Sequence, residues 1–271
     1  MVAYFRKMNI MLMILGGVAG AAIGFLLCGG IILGGDITRI FLFAMSIAAG
    51  IIISRTLASQ IANRKLQSIY KILYKDLNPR RFIEEFAPLL ETVPKNLAEY
   101  MTGCCHLSFA YEALGEFDDA YNVISGLKPE ELRLHALSTT SLITNQKANL
   151  SILTWQEDRA RALISDLEVL RSAASKRAAT LAQNLGECIR LHNARLDAKN
   201  SSPDTDVAYL REEIEKSTNT IHRKEMQLEL ADYMSRQGAA EEARGLLEDI
   251  TSSDFGLYTE KKAKDRLALM S

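Results

Sequence analysis

The chain opens on an apolar block. Between Lys7 and Asp36 the only ionisable side chain is Cys28, and between Arg39 and Arg55 there is none. A helix needs about 20 apolar residues to cross the hydrocarbon core of a bilayer. Asn9 to Leu33 is long enough with tilt to spare, Ile37 to Ser54 is just long enough, and Gly34, Gly35 and Asp36 between them predict a tight turn. Residues 1–54 therefore predict a transmembrane hairpin. Beyond it, apolar residues recur at the three- and four-residue spacing of one helix face. Leu57, Ile61, Leu66, Ile69, Ile72 and Leu73 predict an amphipathic helix that continues the second span over 55–77. Asn78-Pro79 breaks the chain and starts the next helix, since proline suits a first turn. Phe82, Ile83, Phe86, Leu89 and Leu90 form its buried face, Pro88 should bend or shorten it, and Pro94 should start the one after. Ser172 to Lys199 predicts one long helical region that ends in the polar loop Asn200-Ser201-Ser202-Pro203. An exposed helix over Asp206 to Ser217 and a final capping helix over Ser253 to Met270 complete the pattern.

Within the first span, Gly16, Gly20 and Gly24, with Gly17 beside them, strip one helix face of side chains, so that another helix can approach closely. Ala44, Ala48, Ser46 and Gly50 give the second span similar faces. The glycine face either packs the two spans on each other or joins another copy or another membrane protein. No Asp, Glu, His, Lys or Arg lies mid-span, which disfavours a transporter or a proton relay. Arg6 and Lys7 precede the first span, and Arg55, Arg64, Lys65, Lys71 and Lys75 follow the second. Excess Lys and Arg mark the cytoplasmic side, so both ends of the hairpin should face the cytoplasm at a cell membrane. Arg64, Lys65, Lys71 and Lys75 either touch anionic headgroups or only enforce that topology. The block is too long for a signal-peptide core, and no small-residue cleavage site ends it.

From Arg55 onward the charges nearly balance and are interleaved, so no global field recruits nucleic acid. Leu, Ala, Glu, Lys and Arg dominate and only 5 prolines occur, which predicts an all-α chain. Cys188 and His192 share a helix face at i, i+4, but two ligands do not make a zinc site, and no cofactor or metal is expected. The soluble part holds no nucleophile elbow, zinc-protease, P-loop or dinucleotide motif, so an enzyme is not expected.

The stretch MTGCCHLSFAYEALGEFDDAYNVISGLKPEE, from Met101, resembles the tetratricopeptide repeat, a helix–turn–helix unit of about 34 residues. Leu107, Tyr111, Gly115 and Ala120 fall on the family's Leu, Tyr, Gly and Ala positions. Leu107 and Tyr111 would share the packed face of the first helix, Gly115 would end it in a left-handed conformation, and Ala120 would let the two helices cross closely. Cys104 and Ser108 depart from the family pattern. A second match, MQLELADYMSRQGAAEEARGLLEDI, places Leu230, Gly238 and Ala243 on the corresponding positions. A weaker unit over Leu150 to Leu170 sets Trp155 where the family has glycine, followed at the same offset by Ala160. The resemblance implies that residues 78–271 form an α-solenoid of antiparallel helix pairs, about ten cytoplasmic helices in all.

Two functions follow as expectations. The first is a membrane-anchored scaffold or adaptor whose repeats present a surface to an unidentified protein or peptide. The second is a membrane-centred structural or regulatory subunit that assembles as a homo-oligomer through its glycine-rich helix. The lipid bilayer is a partner in both.

Overall fold

A computed structural model describes residues 6–27, 37–132, 135–176 and 178–270. Among these the secondary structure is helical, with no strand. The expected turn at 34–36, together with Cys28 and the end of the first apolar run, lies outside the described residues. The chain divides into two compact units, Met1–Ile69 and Tyr70–Ser271.

The first unit consists of α1 (Arg6–Leu27) and most of α2 (Ile37–Tyr74), which continues without a break from the apolar block into the amphipathic stretch. From Ile40 onward α2 is long and apolar enough to cross a membrane, whereas the described apolar part of α1, Ile10–Leu26, is shorter. Among the described side chains of α1, Gly16, Gly20 and Gly24 are the buried positions. A Cβ added at Gly20 would stand 3.0 Å from Ile47 Cα, one at Gly24 would stand 2.9 Å from the Phe43 ring, and one at Gly50 would stand 3.0 Å from Gly20 Cα. The glycine face of α1 is thus taken up by α2 of the same chain, with the helices running antiparallel. Around this contact the apolar side chains point outward, among them Ile14, Val18, Phe25, Phe41, Met45 and Ile53.

In the second unit α3 (Pro79–Leu90) begins as the sequence predicts, with the Asn78 side chain accepting from the Arg81 N–H at 3.0 Å. It ends two residues after Pro88. Its Phe82 and Phe86 rings pack on Tyr70, with centroids 6.1 and 5.7 Å away. The following helix, α4 (Ala98–Leu114), does not start at Pro94, since Pro94 to Leu97 forms a separate turn closed by the Leu97 N–H on the Pro94 carbonyl at 3.1 Å. The remaining helices are α5 (Phe117–Ser125), α6 (Ala136–Leu153), α7 (Glu157–Ser175), α8 (Ala179–Lys199), α9 (Val207–Lys216), α10 (Thr220–Arg236), α11 (Ala240–Thr251) and α12 (Tyr258–Met270). The single region expected over Ser172 to Lys199 is two helices, broken between Ser175 and Ala179. Neither glycine nor proline marks the break, and α8 folds back along α7 to bury Leu167, Leu185 and Ile189 in one cluster.

The order of contacts defines the architecture. Consecutive helices pack on each other from α3 to α12, while α4, α6, α8, α10 and α12 also touch in succession. α12 in turn touches α4, so this inner row closes on itself, and α5, α7, α9 and α11 lie outside it. The final helix is therefore no cap on an open stack. Tyr258 seals the closure, its ring set edge-on to Phe117 at 5.1 Å and pressed against Gly115, where an added Cβ would stand 3.0 Å from Tyr258 Cγ.

Candidate functional site

Four turns repeat one local design. At Gly115, Trp155, Ser201 and Gly238 the backbone turns left-handed. The next N–H then reaches back five residues: Glu116 to the Tyr111 carbonyl, Gln156 to Ser151, Ser202 to Asp197 and Ala239 to Met234, each at 2.9 Å. This is the Schellman closure, which satisfies carbonyls left bare at a helix end. In three of these turns the outer helix then buries an alanine five residues on, at Ala120, Ala160 and Ala243. Leu107 and Leu230 are buried on the inner helices and Tyr111 is half-buried. The residues singled out from the sequence thus build the turns and crossings. They do not gather into a site.

What gathers instead is a polar network in the middle of the inner row. Glu112 on α4 is 1% exposed, and Arg195 on α8 is fully buried. Gln146 and Asn149 on α6 donate to the two Glu112 carboxyl oxygens at 2.8 and 2.7 Å. Arg195 donates to both oxygens of Glu229 on α10, at 2.6 and 3.0 Å, and to the Asn149 side-chain oxygen. Glu225, one turn before Glu229, shares a hydrogen bond with Glu112 and lies 3.3 Å from His222. His192 Nε2 meets Asn145 Oδ1 at 2.9 Å, while its Nδ1 has no partner.

The electrostatics follow from that packing. Burial, reinforced by the Glu225 charge, holds Glu112 well above the ordinary carboxylate range. Burial would also raise Glu229, but Arg195, through its charge and its two hydrogen bonds, overrides this and keeps Glu229 below that range. Burial, with the Arg195 charge nearby, pushes His192 down to about 3. The neutral form of Glu112 is thus favoured, between two amides and a second carboxylate. The α10–α12 contact has a pair of its own: Lys224 donates to Glu260 at 2.5 Å and to the Ile250 carbonyl at 2.9 Å. Among the described residues no group of three or more His, Cys, Asp or Glu side chains could hold a metal ion. The His192 ring is engaged by Asn145 rather than by Cys188.

One residue of the repeated turns departs from the rest. Trp155 holds φ 60, a conformation that glycine adopts freely and a bulky L-residue does not, and its side chain is 61% exposed. The Lys199 ammonium stands 4.8 Å over its ring and 3.9 Å from Glu229, so the exposed indole touches a residue that reaches into the interior network. Thr154 and Gln156, on either side of it, line a cleft of about 110 Å³ with Phe117, Tyr121, Leu150 and Arg159. In that cleft the Arg159 guanidinium lies 4.3 Å over the Tyr121 ring and bonds its hydroxyl.

Comparison with protein-family models, curated proteins and solved structures gives no match. The geometry alone carries the functional reading.

Reading the sequence missed the interior network, although a signal was present. Ser108 and Glu112, Gln146 and Asn149, His192 and Arg195, and His222, Glu225 and Glu229 are polar residues three or four apart, each set on one face of an inner helix. In isolation each set looks like a solvated stripe.

Proposed function

We propose that the chain is a membrane-anchored helical-repeat scaffold, similar to tetratricopeptide-repeat proteins, that presents a protein-binding surface at the cytoplasmic face of the membrane. α1 and α2 form the anchor as a two-span hairpin, with Arg6 and Lys7 before it and the basic run of α2 after it on the cytoplasmic side. The outward apolar surface of both helices has no place in water, and the Ser46 and Thr56 hydroxyls donate back to the Leu42 and Ile52 carbonyls at 2.9 and 3.0 Å, as polar groups in lipid must.

Trp155 carries the binding half of the reading. The closed inner row is filled by its own side chains, which leaves the outer turns for a partner to meet. An exposed tryptophan in a left-handed turn costs the fold about 1–2 kcal/mol relative to glycine. Trp, Tyr and Arg are the residue types that dominate binding hot spots, and Trp155 stands between Thr154 and Gln156, which line a cleft with Tyr121 and Arg159. The oligomeric alternative has less support, since Gly16, Gly20 and Gly24 are occupied within the chain.

The test places a photo-crosslinking amino acid at Gln156 of the full chain in its native membrane. The expected result is a discrete protein adduct that disappears in Trp155→Gly while membrane retention and helicity are unchanged. No adduct, or one indifferent to Trp155→Gly, would overturn the assignment of this surface.

A further inference from the structure

The outer face of α2 changes character along its length. Ile53, Leu57 and Ile61 are exposed, at 59%, 51% and 47%. The same face continues as Arg64, Ser68, Lys71 and Lys75, all exposed, at the three- and four-residue spacing of one helical stripe. On the opposite face Ala58, Ala62, Leu66 and Ile69 are buried. On this stripe the apolar exposed surface therefore runs past Ser54 and stops between Ile61 and Arg64, where its cations begin, while the exposed Arg55 stands off the stripe.

The register of α1 leads to the same level independently. Gly16 meets Gly50 and Ser54, Gly20 meets Ser46 and Ile47, and Gly24 meets Phe43 and Ser46. Carried back along α1, this antiparallel register brings Lys7 and Arg6 level with Ile61 and Ala62 of α2. The charged end of one helix and the apolar-to-basic switch of the other thus fall in one plane. Ile40 to Ile61 is about 33 Å of helix at about 1.5 Å per residue, against a hydrocarbon core of about 30 Å. Ile37 to Ser54 gives only about 27 Å by the same rise. Arg55 lies about 9 Å inside the plane, close enough for its stem to carry the guanidinium toward the headgroups.

We infer that the bilayer boundary crosses α2 between Ile61 and Arg64, with Leu57 and Ile61 in acyl chains and Arg64, beside Lys65, seated on anionic phospholipid headgroups. This rests on the membrane-anchored reading and adds the depth and the lipid class. A cation at such a surface favours anionic lipid by about fivefold.

The full chain, with Cys28 and Cys188 replaced, is spin-labelled singly at Val18, Leu57, Ile61, Arg64 and Ser68. It is reconstituted in phosphatidylcholine with and without phosphatidylglycerol, and collision with oxygen is compared with collision with a water-soluble nickel chelate. Val18, Leu57 and Ile61 should favour oxygen, with the crossover at Arg64. If Val18 reads as lipid-exposed but Leu57 and Ile61 read as water-exposed, this inference falls while the membrane anchor stands. If Val18 also reads as water-exposed, the anchor itself fails. In a second arm, a fluorophore at Ser68 is quenched by brominated phosphatidylglycerol or brominated phosphatidylcholine. The preference for the anionic lipid should drop about fivefold in Arg64→Gln, and an unchanged preference would remove the headgroup contact.

Discussion

Replacing Glu112 separates a buried neutral acid from a buried charge. Its two oxygens accept from Gln146 and Asn149, and it shares a hydrogen bond with Glu225. In Glu112→Gln the new amide can donate to Glu225 in place of the carboxyl proton, and a rotated Gln146 amide can accept from it. The change should cost less than about 1 kcal/mol, the scale of one net hydrogen bond. Glu112→Ala orphans two buried donors, leaves Glu225 without its proton-sharing partner and opens a cavity, for a loss of about 3–5 kcal/mol. The pH dependence makes the contrast sharper. A carboxyl whose folded-state pKa is raised contributes its stability below the ordinary carboxylate pKa, and loses it as pH rises through the folded value. Above about pH 6.5, where the buried histidines no longer add a slope, wild-type stability should therefore fall by up to about 1.4 kcal/mol per pH unit toward the folded value of Glu112, and Glu112→Gln should flatten this limb. The assay is denaturant unfolding of the full chain in detergent, followed by circular dichroism from pH 4 upward. An alkaline limb of equal slope in wild type and Glu112→Gln would refute the assignment of a neutral Glu112.

On the acid side the burdened groups are His192 and His106, which burial pushes down to about 3 and about 4. Both are neutral in the fold and gain protons on unfolding, so stability should be lost as pH falls below about 6.5. His192→Gln should shrink that loss in the same titration. In the anchor, Gly20→Leu should abolish the close approach of α1 to α2, read as loss of a disulfide engineered between the two helices. Gly245→Ala in α11, where nothing lies within 4 Å of an added Cβ, should raise stability by about 0.5–1 kcal/mol. Burial holds the Cys104 and Cys105 thiols up at about 11 and about 12, so neither should react with a thiol reagent at neutral pH until the chain unfolds, as mass spectrometry would show.

The parts of this fold that were legible beforehand are those decided by neighbours in sequence. The apolar block, the helix start at Asn78-Pro79, the glycine turns at Gly115 and Gly238 and the small crossings at Ala120 and Ala243 all follow from local rules. Closure of the inner row was hidden, because the bonds that fill it join residues far apart, such as Asn149 to Glu112 and Arg195 to Glu229. The break before α8 carries no stop residue and is imposed by packing on α7. Trp155 stands in a turn where a glycine would be expected, and its left-handed backbone could not be foreseen from a propensity. In α2 the apolar spacing was visible, but periodicity alone could not tell that Leu57 and Ile61 face outward while Leu66 and Ile69 are buried.

Alkaline carbonate extraction of membranes holding the full chain, followed by protease added from the cytoplasmic side, tests the central claim most directly. A membrane-anchored scaffold should stay in the pellet and lose residues beyond α2 to the protease, leaving a protected fragment that contains α1 and the first half of α2. Release into the supernatant by carbonate, or protection of the helical repeats from cytoplasmic protease, would contradict it.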